Sequence, residues 1–293
     1  MKNGKRVLLA GLLGLAIGGQ ASALTVYGVT TANSLVRFDS ATPGTINNSV
    51  LVTGLNTGAT LRGIDFRPVD GLLYGVSSDS RLYTINLSTG LASVIGAPGA
   101  FTLNGTSFGF DFNPTVDRIR VVSDTDRNVR LTPAGGLAGT DTNLVYAPAD
   151  VNAGQNPNIV GSAYTNSFPG ATTTTLYGID SGLDQLVIQN PPNAGTLNSV
   201  GSLGFNTSDL VGFDIFFFDN RAFASLTGTA AGASSSLFSI NLASGAATSI
   251  GAIGSGLQIA GIAIQQVPEP ATITLLAAAL LGSVAVRARR RLK

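Results

Sequence analysis

The sequence predicts an all-β fold, a five-bladed β-propeller of four-stranded antiparallel blades closed into a ring. Composition is the first of three observations behind this expectation: 37 glycines, 11% charged residues and short apolar runs favour brief strands and tight turns over amphipathic helices. The second is an internal repeat, in which "LYTINLSTGLASVIG" (82–96) aligns without gaps to "LFSINLASGAATSIG" (237–251), with eight of fifteen positions identical. The third is a Gly-apolar-Asp-apolar motif, "GIDF" from Gly63, "GFDF" from Gly109 and "GFDI" from Gly212, with a decayed copy "GIAI" from Gly261.

The spacing of this motif sets the blade count. Its steps are 46, 103 and 49 residues, and a middle step twice the others predicts a hidden copy near residue 160, where "GSAY" begins at Gly161. In the clearest unit the four strands are "GIDF", "LLYGV" after the Asp70-Gly71 turn, "RLYTIN", and "LASVI" after the turn at Ser88–Gly90. Glycine supplies the positive φ that such turns need. The segment Leu24–Leu55 has the strand-like runs "TVYGV", "LVRFD" and "SVLVTGL" but no Gly-apolar-Asp strand, whereas "GIAI" has no strands after it. Pairing "GIAI" antiparallel with "TVYGV" closes the ring and removes open edges.

The ends have another character. "MKNGKR", the apolar "VLLAGLLGLAIGG" and "ASA" at Ala21–Ala23 have the three-part layout of a signal peptide, a helix expected to be cleaved after Ala23. At the back, Ala271–Val286 is an apolar run followed by "RARRRLK", whose arginines would hold that end on the cytoplasmic side of a membrane. Its 16 residues are short of the roughly 20 needed to span comfortably, so transient insertion through a C-terminal transmembrane helix is expected. The predicted organisation is a signal peptide at 1–23, a propeller domain at 24–266 and a sorting tail at 267–293.

Composition also narrows the chemistry. The chain has no cysteine and no histidine, which excludes disulfides, thiol nucleophiles, Cys/His zinc sites and any Ser-His-Asp triad. All three lysines lie in the ends, so residues 24–266 carry nine arginines against fifteen aspartates, a net charge of −6. Nucleic acid is therefore not an expected partner.

Glu269 is the only glutamate in the chain, and it sits in Val267-Pro268-Glu269-Pro270, ahead of the apolar run and the arginine cluster. This order resembles the PEP-CTERM sorting signal of Gram-negative, exopolysaccharide-producing bacteria. The resemblance implies that Pro268-Glu269-Pro270 is recognised by an exosortase-type membrane protease, which processes the chain at the cell envelope. Two prolines would keep the segment extended and present its carboxylate at the membrane surface. "GFDFNPTVDRIRVVSDTDRNVRLTP" (109–133) resembles the secreted family named domain of unknown function 4394, over most of 24–266. That resemblance implies a propeller-like secreted domain with no assigned activity.

Three groups of residues could carry chemistry. Asp65, Asp111 and Asp214 recur at one position of the proposed innermost strand, with Ala163 and Ala263 in the other two blades. They could converge on the axis as a calcium site or catalytic funnel. Alternatively each accepts hydrogen bonds from a neighbouring blade's backbone, and a residue repeated with the blades is first a blade-building residue. Asp124, Asp126 and Asn128 in "DTDRN" have the spacing that opens many calcium loops, but Val129 stands where such a loop needs Gly, and Gly135 where it needs Glu. They are expected as turn residues. Arg118, Arg120, Arg127 and Arg130 lie within thirteen residues. A solvated strand face is expected of them, the sharper alternative being a patch that grips a carboxylated polysaccharide.

Together these readings predict an exported protein of the envelope or extracellular matrix, a non-catalytic propeller for surface display or for binding glycan or protein partners. A glycan-active enzyme using axial aspartates is the alternative. No cofactor is expected, with calcium the one candidate. Exopolysaccharide and other matrix proteins are the expected partners beside the exosortase.

Overall fold

The computed structural model describes residues 23–266. Blade 1 contains β1 (Thr25–Thr30), β2 (Ser34–Asp39) and β3 (Ile46–Leu51), and blade 2 contains β4 (Leu61–Phe66), β5 (Leu73–Ser77), β6 (Leu82–Ile85) and β7 (Ala92–Ile95). Blade 3 follows with β8 (Phe108–Asn113), β9 (Arg118–Ser123), β10 (Asn128–Leu131) and β11 (Leu137–Thr140). Blade 4 has β12 (Val145–Tyr146), β13 (Ile159–Tyr164), β14 (Leu176–Asp180), β15 (Gln185–Gln189) and β16 (Thr196–Ser202). Blade 5 is β17 (Thr207–Ile215), β18 (Ala222–Gly228), β19 (Ser235–Ile240) and β20 (Ala247–Ala252), after which β21 (Ile259–Ile264) returns to blade 1. These make the five-bladed propeller the repeat predicts, and β13 is the hidden copy at Gly161. The expected signal helix and sorting helix lie outside the described residues. Among the described residues no helix is long and apolar enough to cross a membrane.

Closure occurs where the repeat places it. β21 pairs antiparallel with β1, Val26 opposite Ile264, Tyr27 opposite Ala263, Gly28 opposite Ile262 and Val29 opposite Gly261, so blade 1 runs β21-β1-β2-β3. Blade 4 departs from four strands because β12 adds in parallel to β16, Val145 opposite Thr196 and Tyr146 opposite Leu197. Tyr146 anchors this extra strand: its ring is buried, its hydroxyl donates to Asp180 Oδ2 at 2.5 Å, and it accepts from Gln185 Nε2 at 2.6 Å.

The repeat glycine is what brings the inner strands together. A Cβ on Gly63 would lie 2.6 Å from Phe110 Cβ of the next blade, one on Gly109 would lie 2.5 Å from Ser162 Cβ, and one on Gly212 would lie 2.6 Å from the Ile262 nitrogen. Each inner strand thus packs on the next at a distance only glycine permits. Gly109→Ala should destabilise by about 1–3 kcal/mol, since the obstructing atoms are backbone and Cβ that cannot swing away. Thermal melting checks this, and an unchanged midpoint would show that the strands can spread.

Apolar clusters fill the seams between blades, but unequally. The clusters joining blades 1 and 2, 2 and 3, 4 and 5, and 5 and 1 each hold eleven to thirteen buried residues, whereas the cluster between blades 3 and 4 holds six: Val122, Leu144, Tyr146, Ile159, Val187 and Leu197. Polar side chains occupy the rest of that seam, among them Arg120, Asn128 and Gln189, all buried.

Candidate functional site

Asp65, Asp111 and Asp214 stand on β4, β8 and β17, and the fold brings them together at the axis, with carboxylate oxygens within 4.8 Å of one another. Each is 2% exposed. The residue following the motif position presents its N–H to this cluster from every inner strand, because the inner edge of a propeller sheet has no further strand to pair with. Asp65 accepts from Phe66 N at 2.7 Å and from Phe112 N of the next blade at 2.9 Å. Asp214 accepts from Ile215 N at 2.6 Å and from Ile264 N at 2.5 Å, and Asp111 accepts from Tyr164 N at 3.2 Å. Three carboxylates thereby satisfy five edge amides, and the alanine blades, with Ala163 and Ala263, borrow their acceptors from Asp111 and Asp214. The cross-blade hydrogen bond of the structural reading is present in all three cases.

Burial dominates the electrostatics. Desolvation pushes the Asp65 and Asp111 carboxyls well above the usual carboxylate range, and repulsion among the three aspartates adds to it. Desolvation lifts Asp214 to about 7, against the backbone hydrogen bonds that oppose it. The three titrate as one unit that holds protons at pH values where exposed aspartates have none. Next to them, the repeat glycines and Ser162 line an axial cavity of about 10 Å³, the scale of a single water molecule. As a cation site the cluster is poorly set, because five of its six oxygens already face amide N–H groups, whereas calcium takes six to eight oxygen ligands.

Asp124, Asp126 and Asn128 perform three separate tasks. Asp124 accepts from Thr106 N, Thr106 Oγ1 and Ser107 N, tying the hairpin to the preceding loop. Asp126 takes the left-handed turn position with φ of 61°. Asn128 is buried in the seam, where Oδ1 accepts from Arg120 Nη1 at 2.7 Å and Nδ2 donates to the Thr142 and Pro192 carbonyls. Asp124 and Asp126 lie in the hairpin turn, as expected, whereas Asn128 departs from that expectation: it opens β10 and pairs with Val122.

The arginine cluster corrects the expectation of a solvated face. Arg120 is 2% exposed and forms the centre of the polar seam, bonded to Asn128, to Asp141 Oδ2 at 2.5 Å, to Asn193 Oδ1 at 2.7 Å and to Tyr164 Oη at 3.4 Å. Arg130 lies opposite Arg120 in the β9–β10 register and grips the same Asp141 with two bonds of 2.8 Å. Two like charges side by side in a sheet need a shared counterion, and Asp141 supplies it from beyond β11. The one hint in the sequence was the pair Arg120 and Arg130 flanking a tight turn; Asp111, opposite Arg120 on β8, accepts from Tyr164 N at the axis. Val267, Pro268, Glu269 and Pro270 lie outside the described residues.

Residues 34–263 match the family described as Domain of unknown function (DUF4394). The chain belongs to that family. The matched DUF4394 unit runs from β2 into β21, so the closing strand is part of it. Residues 266–291 match the PEP-CTERM protein-sorting motif, which marks this DUF4394 protein for export and for processing at the cell envelope by an exosortase. No curated protein matches the chain. A chain in "Crystal structure of Nidogen/Laminin Complex" is similar at 13% identity, covering 83% of this chain and 98% of that one with a TM-score of 0.47, a likeness too low to carry an argument.

Proposed function

We propose that this DUF4394 propeller is a non-catalytic domain of the envelope or extracellular matrix that binds glycan or protein partners, with its axial aspartates serving to hold the ring together. The burial of Asp65, Asp111 and Asp214 carries this reading: a catalytic funnel needs acids that substrate can touch, and these are each 2% exposed. A glycosidase also needs two carboxyl groups in different environments with space for a glycosidic bond between them. Here five of the six carboxyl oxygens are occupied by backbone amides. On a glycan array the purified domain should retain glycans and release no product. Product release that disappears in Asp111→Asn would instead establish the enzyme.

Maturation follows from the two ends. The secreted form should begin at Leu24 and lack the arginine tail. Glu269→Gln should accumulate unprocessed, membrane-held protein in a host with an exosortase, because the glutamine removes the only carboxylate of the segment. Mass spectrometry of envelope fractions reads both results, and normal processing of the variant would mean that the tail acts as a simple anchor.

A further inference from the structure

We propose that the polar seam between blades 3 and 4 opens into a binding site for a carboxylate-bearing sugar of the uronic acid class. A cavity of about 440 Å³ lies there, lined by Arg118, Arg120, Arg130, Tyr164, Pro192 and Asn193 among others. That volume falls within the roughly 300–1,000 Å³ of small-ligand sites. The same seam is the one where apolar packing is thinnest, so polar residues here take part of the space that apolar side chains fill at the other seams. A repeat protein that breaks its own packing rule at one seam does so where something other than packing is required.

The charges in this cavity are arranged to receive an anion. Asp141 is shared between Arg120 and Arg130, whose Nε and Nη2 hold it and leave the Nη1 edge of a part-exposed side chain. Arg118 forms no ion pair among the described residues and donates from Nη1 to the Val116 and Asp117 carbonyls. The Asp117 carboxylate beside it is gripped by Arg67 through two bonds, at 2.8 and 2.5 Å, and Arg67 also holds Asp70. Counted with those neighbours, four guanidinium groups stand among four carboxyl groups, of which Asp111, opposite Arg120 on β8, is pushed by burial toward its protonated form, so a local positive excess remains in a domain of net charge −6. A singly charged ligand matches that excess, whereas a polyphosphate would meet the repulsion of the whole domain.

The remaining lining specifies more than a bare anion. Guanidinium forks suit a planar carboxylate. The Asn193 amide, whose Oδ1 is taken by Arg120, presents its NH2 group to hydroxyls. Pro192 and the 56% exposed Val116 give an apolar wall for the C–H face of a pyranose ring. Carboxylate, hydroxyls and an apolar face on one small ring describe a uronic acid.

This proposal rests on reading the domain as a binding module, and calorimetric titration tests it with D-glucuronate, D-glucose and acetate as separate ligands. Glucuronate should bind with a millimolar dissociation constant that weakens as salt rises, and glucose and acetate at least about tenfold more weakly. Arg118→Ala and Arg118→Gln should each weaken glucuronate binding about tenfold or more with an unchanged melting temperature. Glucose or acetate binding as tightly as glucuronate, no glucuronate binding, or wild-type affinity in both Arg118 variants would each overturn the site. Those outcomes leave the non-catalytic reading standing, whereas product release on the glycan array overturns that reading and leaves glucuronate binding to be judged on its own.

Discussion

Deleting Ile259–Ile264 abolishes the cooperative unfolding transition of the domain. This strand is the inner strand of blade 1, and its side chains Ile259, Ala260, Ile262, Ala263 and Ile264 are all buried. The three isoleucines alone contribute about 5–9 kcal/mol by burial, which is comparable with the entire 5–15 kcal/mol stability of a typical domain. Their loss exposes the clusters on both sides of blade 1, since Ala260 and Ala263 pack toward blade 2 and Ile259, Ile262 and Ile264 toward blade 5. It also strips the pairing edge of β1 and removes the Ile264 N–H that Asp214 accepts. Circular dichroism melting should show a broad slope where the intact domain shows a sigmoid. A sharp transition at the original midpoint would mean that the ring is held by its other seams. Ile262→Ala is the graded control, expected to remain folded at a loss of about 2–5 kcal/mol.

Raising the pH from 5 to 8 lowers the melting temperature by about 5 °C or more. The sign follows from the axial aspartates. A carboxyl whose folded pKa is raised holds its proton after the unfolded chain has released it. Its stabilising contribution is therefore complete below the unfolded value of 3.8 and is lost as pH rises to about 7 for Asp214, with Asp65 and Asp111 shifted in the same direction. Other aspartates act oppositely. Hydrogen bonds from Arg67 hold Asp117 low, and although burial alone would raise Asp141, Arg130 and Arg120 hold it low, so both contribute stability that disappears as pH falls below about 4. The optimum should fall where these windows meet, near pH 4. Asp111→Asn should flatten the decline, because the amide keeps an oxygen for the single Tyr164 N–H while removing one of three charges. Asp214→Ala should instead destabilise at every pH, by roughly 1–3 kcal/mol for each of the two amides it orphans. Calcium should leave the melting temperature unchanged. A profile that rises from pH 5 to 8, or a calcium-dependent rise that Asp111→Asn removes, would assign the cluster to cation binding.

The sequence by itself determined the repeat, and with it the five inner strands, the hidden copy at Gly161 and the pairing of Gly261–Ile264 with Thr25–Val29. This was legible because a blade is a local unit: each motif glycine and aspartate sits in its own strand, and turn residues such as Asp70-Gly71 fix the hairpins within a few positions. Even the aspartates' role in holding neighbouring blades could be anticipated, since a repeated residue most simply serves the repeat. The tertiary structure alone decided what meets across the seams. β12 joins β16 in parallel, a contact no hairpin encodes. Arg120, which alternates with apolar neighbours as a solvent-facing residue would, is buried because blade 4 covers it and because Asn193, 73 residues away, and Asp141 satisfy its charge. Strand alternation reports which side of a sheet a residue occupies, and in a ring of blades both sides of the inner strands are covered. Whether a covered side is filled by apolar packing or by a polar network depends on residues far apart in the chain, and that pairing forms only when the ring closes.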